Sequence, residues 1–275
     1  NSGFIVVGMG LVVSIIFHLT TREPVNARRL SRLHSNESTR ELMHMTWKQW
    51  FLQPQFYQIG LLYMTSRLYC NISQVYFPFY ITQTQKYDKK YVAIFPMTSY
   101  VASFAISTLF SFSFINRRLN RKAMFMFGGM CCMANCAWMY FSDLGLEMMY
   151  PISCLLGIGQ AIVLVSSLDI TADLINRNTE SGAFVYGAMS LVDKFANGVA
   201  YQIIEIMNPS CDPSSGKHEA CRIFYRNVMV FVPAACMLLG AFVLISLIPQ
   251  NVGHRPAREG DHRSLLNDNS TIYEE

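Results

Sequence analysis

The sequence predicts an all-α polytopic membrane protein with about seven transmembrane helices. Of its 275 residues, 52% are apolar and 15% are charged, against roughly 25% charged in a typical soluble domain. The mean hydropathy of +0.24 is too low for a chain that is apolar throughout, so the charges must lie in short stretches between long apolar ones. This composition excludes a disordered chain, a nucleic-acid-binding domain and a small disulfide-stapled domain.

Seven apolar stretches are long enough to cross about 30 Å of hydrocarbon, which takes about 20 residues in a helix. They are 3–20, 56–80, 91–115, 123–141, 149–172, 182–207 and 227–248. Because lipid offers the backbone no hydrogen-bond partner, each should be an α-helix. Residue 1 is Asn rather than Met and lies at the edge of the first stretch, so we expect a fragment whose N-terminal part is absent.

The polar segments predict the domain organisation and the orientation. Residues 1–20 form one span, 21–55 a linker that ends in an aromatic interfacial anchor, 56–248 a six-helix domain and 249–275 a disordered tail. The polar segments between spans lie on alternate sides of the membrane. Those on one side carry 14 of the 22 Lys and Arg residues, and those on the other side carry 6. The positive-inside rule therefore places the linker and the tail in the cytosol.

The cysteines divide into two groups. Six of the eight lie in spans, where a thiol behaves as a small hydrophobic group. Cys211 and Cys221 share a polar loop on the oxidising side, which predicts a disulfide, with two free thiols as the alternative. No catalytic nucleophile–His–carboxylate set stands out, and we expect no enzyme activity, metal site or cofactor. The sequence Gly157-Ile158-Gly159 inside a span predicts close helix packing.

Two basic residues lie inside spans, where a charge costs at least about 2.5–3.5 kcal/mol. Arg67 shares one helical face with Tyr63, Asn71 and Gln74, so this face should meet protein or water rather than lipid. We expect Arg67, Asn71 and Gln74 to line a cavity that holds an anionic substrate group. The alternative is a structural Arg67 that caps carbonyls of a neighbouring helix.

Lys194 is the second basic residue inside a span. Its helical face also carries Tyr186, Ser190, Asn197 and Tyr201. A lysine responds strongly to desolvation, which suits binding linked to a proton or ion, and we expect Lys194 and Asn197 to bind substrate. The alternative is a fixed ion pair, for instance with Glu205 or with a carboxylate outside this chain.

Asp169, Asp173 and Arg177 follow one another at steps of four residues along the predicted cytosolic end of the fifth span. This spacing places them on one side of a helix, where they could form ion pairs that latch a gate. A solvated helix end is the alternative.

The tail sequence Asp261-His262-Arg263-Ser264-Leu265-Leu266 fits an acidic dileucine sorting signal, with Asp261, Leu265 and Leu266 as its recognised residues. Such a signal binds a sorting adaptor in the cytosol. It predicts delivery to an organelle rather than to the cell surface.

Several stretches resemble a known family. Residues 168–175, 182–184 and Asp193-Lys194 resemble the melibiose-carrier-like branch of the major facilitator superfamily, in which an acidic helix end precedes a helix with a central Lys. Residues 47–50, 63–68, 171–175 and 181–187 resemble animal members of the superfamily that are associated with cysteine import into lysosomes and melanosomes.

The resemblance implies a partial major facilitator superfamily fold, with the seven spans as the last helix of the N-terminal half and the six helices of the C-terminal half. It implies secondary active transport by alternating access, with cysteine as the substrate, a lysosomal address and a proton or sodium ion as the coupling ion. Sugar/cation symport, as in the melibiose carriers, is the nearest alternative.

Two other classes of protein also fit parts of the sequence. A seven-helix receptor fits the number of spans, but residues 115–118 lack its acidic-Arg-aromatic triplet and the last span lacks its Asn-Pro-x-x-Tyr motif. A scaffold or chaperone that keeps the carrier fold without transport is the third possibility.

Overall fold

The computed structural model describes residues 2–20, 47–111, 120–141, 145–175, 179–209 and 218–248. The chain divides into two compact units, Asn1–His44 and Met45–Glu275. In the first unit, helix α1 covers Ser2–Thr20, and its apolar side chains are exposed along its length. The described part of the second unit contains α2 (Trp47–Trp50), α3 (Pro54–Phe79), α4 (Tyr91–Ser111), α5 (Arg121–Phe141), α6 (Leu146–Ile175), α7 (Thr179–Ile206) and α8 (His218–Leu247).

Each predicted span overlaps one long helix. The largest difference is at α8, which begins at His218 although the apolar stretch begins at residue 227. Its first turns carry charged residues, among them Glu219 and Arg222, which form an ion pair on the helix surface. Hydropathy marks the part of a helix that lipid can accept, and the helix itself continues into the polar region.

Four helices in the described part are long and apolar enough to cross a membrane by length and composition. These segments are Gly3–Thr20, Tyr91–Phe110, Leu146–Ile175 and Glu219–Leu247. Helices α3, α5 and α7 have 26, 21 and 28 residues, so each also reaches about 30 Å or more at 1.5 Å per residue. Their lower hydropathy comes from polar side chains, which in α3 and α7 include Arg67, Asp193 and Lys194.

Helix α3 lies at the centre of the second unit. It contacts α6, α7 and α8, and it continues into a π-helical turn at Tyr80–Thr84. Its buried side chains include Ile59, Leu62, Tyr69 and Ile72, which are fully enclosed. Helix α3 therefore positions the helices that surround it.

The aromatic segment before α3 packs partly inside the protein. Trp50 is buried beside Phe56, and the Phe51 ring lies 5.8 Å from the ring of Phe184 on α7. Trp47 stays exposed, with the Lys48 ammonium 5.3 Å from its ring centre. One side of this segment thus joins α3 to α7, and Trp47 and Lys48 remain on the surface.

Helix α6 approaches its neighbours closely at two glycines. A Cβ atom at Gly157 would lie 2.0 Å from the backbone oxygen of Ser99 on α4, and one at Gly159 would lie 2.7 Å from the sulfur of Cys132 on α5. Small residues at helix contacts let backbones approach in this way. The close packing predicted from Gly157-Ile158-Gly159 is confirmed.

We predict that Gly157→Ala destabilises the protein by about 1–3 kcal/mol, because the added methyl group forces α4 and α6 apart. Gly60→Ala is the matched control, since a Cβ atom on this α3 residue meets nothing within 4 Å. Alanine favours helix more than glycine does, so the control should be neutral or stabilising. Thermal unfolding in detergent measures both variants, and equal melting temperatures would contradict the close approach.

Candidate functional site

The polar faces of α3 and α7 meet at a group of four residues, Arg67, Asp193, Lys194 and Asn197, which we call the Asp193 cluster. The side chain of Asp193 is 1% exposed. Its Oδ2 atom lies 3.7 Å from Nε of Arg67 and 3.5 Å from Nζ of Lys194. One buried carboxylate oxygen is therefore shared by two basic side chains.

Asn197 holds the other oxygen of Asp193. It lies one helical turn further along α7, and its Nδ2 donates to Oδ1 of Asp193 at 2.6 Å and to the backbone oxygen of Asp193 at 2.8 Å. These bonds orient the carboxylate. They also offset the cost of burying its charge, which is several kcal/mol for a carboxylate without partners.

The hydrogen bonding of the cluster is incomplete. Nε of Arg67 and Oδ1 of Asn197 are buried and have no hydrogen-bond partner among the described residues. Both ion-pair distances exceed the 2.7–3.2 Å typical of an N–H···O bond. Two cations and one carboxylate leave one positive charge, and the Lys194 side chain is 66% exposed. The cluster thus combines one net positive charge with a buried Arg67 N–H group that has no described hydrogen-bond partner.

Two residues of the predicted cavity wall lie outside the cluster. Asn71 is half-buried and Gln74 is exposed, one and two turns beyond Arg67 on α3. Neither forms a hydrogen bond within the described part of the chain. The structure therefore brings together Arg67, Lys194 and Asn197 and leaves Asn71 and Gln74 further along the same helix.

Sequence analysis missed Asp193 as a site residue, although it directly precedes Lys194 and lies four residues before Asn197. Aspartate and asparagine at this spacing share a helix face, which was the available signal. The alternative prediction of an ion pair between Lys194 and Glu205 is wrong. Glu205 lies eleven residues further along the same continuous helix, about 16 Å at 1.5 Å per residue. Asp193 provides the ion pair instead.

A second set of charges lies at the predicted cytosolic ends of the helices. Asp173 on α6 forms an ion pair with Arg121, the first residue of α5, and Arg121 also donates to the backbone oxygen of Asp169 at 3.4 Å. The neighbouring Lys122 donates to the backbone oxygens of Leu247 and Ile248 at the end of α8. Arg177 lies outside the described residues. The described partner of Asp173 therefore comes from the first turn of α5.

Other predicted sites fall wholly or partly outside the described residues. Cys221 at the start of α8 is disulfide-bonded, but Cys211 is outside, so the pairing stays a prediction. The sorting residues Asp261, Leu265 and Leu266 are outside as well. The described residues contain six free cysteines and no group of three or more side chains that could hold a metal ion.

The long apolar helices and the charged side chains that meet between α3 and α7 describe an all-α membrane protein, and comparison with known proteins gives the family. The family model described as "Major Facilitator Superfamily" matches residues 1–200, so the chain belongs to this superfamily.

The chain is similar to "Major facilitator superfamily domain-containing protein 12" of three mammals. It is 38% identical to the protein of Mus musculus over 267 residues, which are 94% of this chain and 55% of that protein. It is 40% identical to the protein of Homo sapiens over 255 residues, 90% of this chain and 52% of that protein. Identity to the protein of Equus caballus is 40% over 250 residues, 88% of this chain and 51% of that protein.

The chain thus spans about half the length of the curated relatives it matches. No solved structure matches it.

We predict that Asn197→Ala lowers stability by about 1–3 kcal/mol, because Oδ1 of the buried Asp193 carboxylate loses its donor. Asn71→Ala is the control, since this half-buried amide on α3 forms no hydrogen bond in the described part of the chain. It should change stability much less. Thermal unfolding of the full-length protein in detergent gives both values, and similar losses would show that Asn197 does not support the cluster.

Proposed function

We propose that this chain is part of a twelve-helix secondary active transporter that works by alternating access. In this proposal, residues 1–20 are the last helix of the N-terminal half, 21–55 are the cytosolic linker with its interfacial anchor, 56–248 are the six-helix C-terminal domain and 249–275 are a disordered cytosolic tail. Membership of the major facilitator superfamily supports this organisation.

The proposed substrate site contains the Asp193 cluster on the C-terminal side of a central cavity. One observation carries the proposal: two cations share one buried carboxylate, which leaves a net positive charge beside an exposed Lys194 and an incompletely bonded Arg67. Arginine binds carboxylates through paired N–H groups, and lysine adds a mobile charge. A small molecule with one carboxylate matches this arrangement.

We propose cysteine as the substrate and lysosomes or related organelles as the destination, with a proton or sodium ion as the coupling ion. The positive cluster supports an amino-acid carboxylate, and the dileucine pattern at Leu265 and Leu266 supports an organellar address through a sorting adaptor. A sugar symporter is the alternative, because the amides of Asn71 and Gln74 on α3 could bind sugar hydroxyl groups.

Lys194→Ala should reduce saturable cysteine uptake at least about tenfold, because the loss of one charged contact of about 1.4 kcal/mol or more corresponds to that factor. For this assay, Leu265→Ala and Leu266→Ala are introduced into the full-length protein, and they should direct it to the cell surface. Labelled cysteine uptake, export of preloaded label and surface protein are measured together, with melibiose and lysine as comparison substrates.

Lys90→Ala is the matched control for this experiment, because Lys90 is an exposed lysine in the loop before α4 that pairs with Asp88. It should leave cysteine flux unchanged. Flux of melibiose without cysteine would favour the sugar symporter. Absence of both fluxes from protein at the surface would overturn the proposed transport function and favour a scaffold.

We propose that the Arg121–Asp173 pair, rather than a pair with Arg177, latches the cytosolic gate. Arg121→Asp and Asp173→Arg alone each place like charges together, so each should lower the maximal transport rate several-fold. The double variant restores opposite charges and should recover most of the rate. Both side chains are about 40% exposed, so we expect changes in stability of no more than about 1 kcal/mol.

Initial-rate transport measurements on the three variants test the latch, with thermal unfolding as the check on folding. A double variant as slow as the single variants would show that the pairing of these charges does not control the rate.

A further inference from the structure

The two cations of the Asp193 cluster face a carboxylate that belongs to the protein itself. We propose that Asp193 is an internal competitor of the substrate: it occupies the place beside Arg67 and Lys194 that a substrate carboxylate takes when it binds. This inference rests on the proposed function, in which the cluster binds the carboxylate of an amino acid. It assigns to Asp193 the role of setting how tightly the transporter holds that group.

The geometry makes Asp193 a weak partner that can be displaced. A carboxylate that binds arginine well makes short N–H···O bonds of about 2.7–2.9 Å. Asp193 stays 3.7 Å from Nε of Arg67 and 3.5 Å from Nζ of Lys194, and Nε of Arg67 makes no hydrogen bond to any described residue. The Asp193 side chain does not come closer, and the 2.6 Å bond from Asn197 holds its other oxygen. The carboxylate of a free amino acid is not held by Asn197, so it can approach Arg67 more closely.

The charges of the cluster lead to the same conclusion. The Asp193 carboxylate and the two basic side chains together carry one net positive charge, which a single substrate carboxylate neutralises. A neutral residue in place of Asp193 would leave two positive charges, which would attract the substrate carboxylate more strongly. Glu147, Asp169 and Asp173 on the neighbouring α6 form no ion pair with Arg67 or Lys194, so within the described residues Asp193 is the acidic group that faces these two cations.

A built-in competitor favours rapid release. Differences in affinity between related complexes lie mostly in the dissociation rate, so a tighter site lets its ligand go more slowly. A carrier must release its substrate in every cycle. Asp193 still faces the two cations as the substrate leaves, so their positive charges are not left without an acidic partner.

The test compares Asp193→Asn and Asp193→Glu in the full-length protein. Asparagine keeps the shape of aspartate and removes its charge, so the KM for cysteine should fall about tenfold and the maximal rate should fall as well. Glutamate keeps the charge, and its longer side chain brings the carboxylate closer to Arg67, so the KM should rise. A residue needed only for folding would not shift KM in opposite directions.

Glu205→Gln is the matched control, because it also removes a carboxylate from α7 but lies twelve residues away, about 18 Å along the helix. Its KM for cysteine should equal that of the unmodified protein. Cysteine methyl ester lacks the carboxylate, so Asp193→Asn should give no gain in its affinity. Thermal unfolding of each variant reports whether the fold is intact.

Equilibrium binding of labelled cysteine to the purified full-length protein in detergent separates the two proposals, because it does not require transport. Binding to the unmodified protein that tightens in Asp193→Asn and weakens in Asp193→Glu supports the competitor. Unchanged or weaker binding in a folded Asp193→Asn variant overturns the competitor and leaves the cysteine site standing. If neither the unmodified protein nor any variant binds cysteine, the proposed substrate itself is wrong.

Discussion

The contact between α3 and α7 depends on one buried charge. The carboxylate of Asp193 is almost fully removed from water, a state that is strongly unfavourable unless its oxygens are paired. Asn197 supplies a hydrogen bond from the same helix, and Arg67 supplies a positive charge from the central helix α3. Because α3 also contacts α6 and α8, the pairing of this carboxylate relates the position of α7 to the rest of the six-helix bundle.

The residues that lower the hydropathy of α3 and α7 are those of the Asp193 cluster. Arg67, Asp193 and Lys194 lower the hydropathy of their helices below that of α4, α6 and α8. Charges inside a membrane protein are expensive and persist where they face each other or a cavity. The bundle therefore combines apolar helices, which pack closely at residues such as Gly157, with polar helices that meet through charged side chains.

The sequence was sufficient to predict the helices and the superfamily, and to place Arg67, Lys194 and Asn197 on the polar faces that meet around Asp193, because helical periodicity and charges within apolar stretches are local signals. It was not sufficient to select Asp193, since its importance comes from a contact with another helix. The same reason applies to the charges at the end of α6: periodicity grouped Asp173 with Arg177 on one helix, whereas the described partner of Asp173 is Arg121 on α5. Asn71 and Gln74 share a face with Arg67 and lie one and two turns beyond it, so their role in substrate binding stays a prediction.

Adjacent residues at the start of α5 attach two different helices by two different kinds of interaction. Arg121 binds the charged side chain of Asp173 on α6, and Lys122 binds uncharged backbone oxygens at the end of α8. Dissolved salt screens attraction between exposed charges, but it acts much less on a bond to a neutral acceptor. Rising ionic strength therefore weakens the link from Arg121 to α6 more than the link from Lys122 to α8, and the close packing of α6 on α5 at Gly159 is left to hold α6 in place.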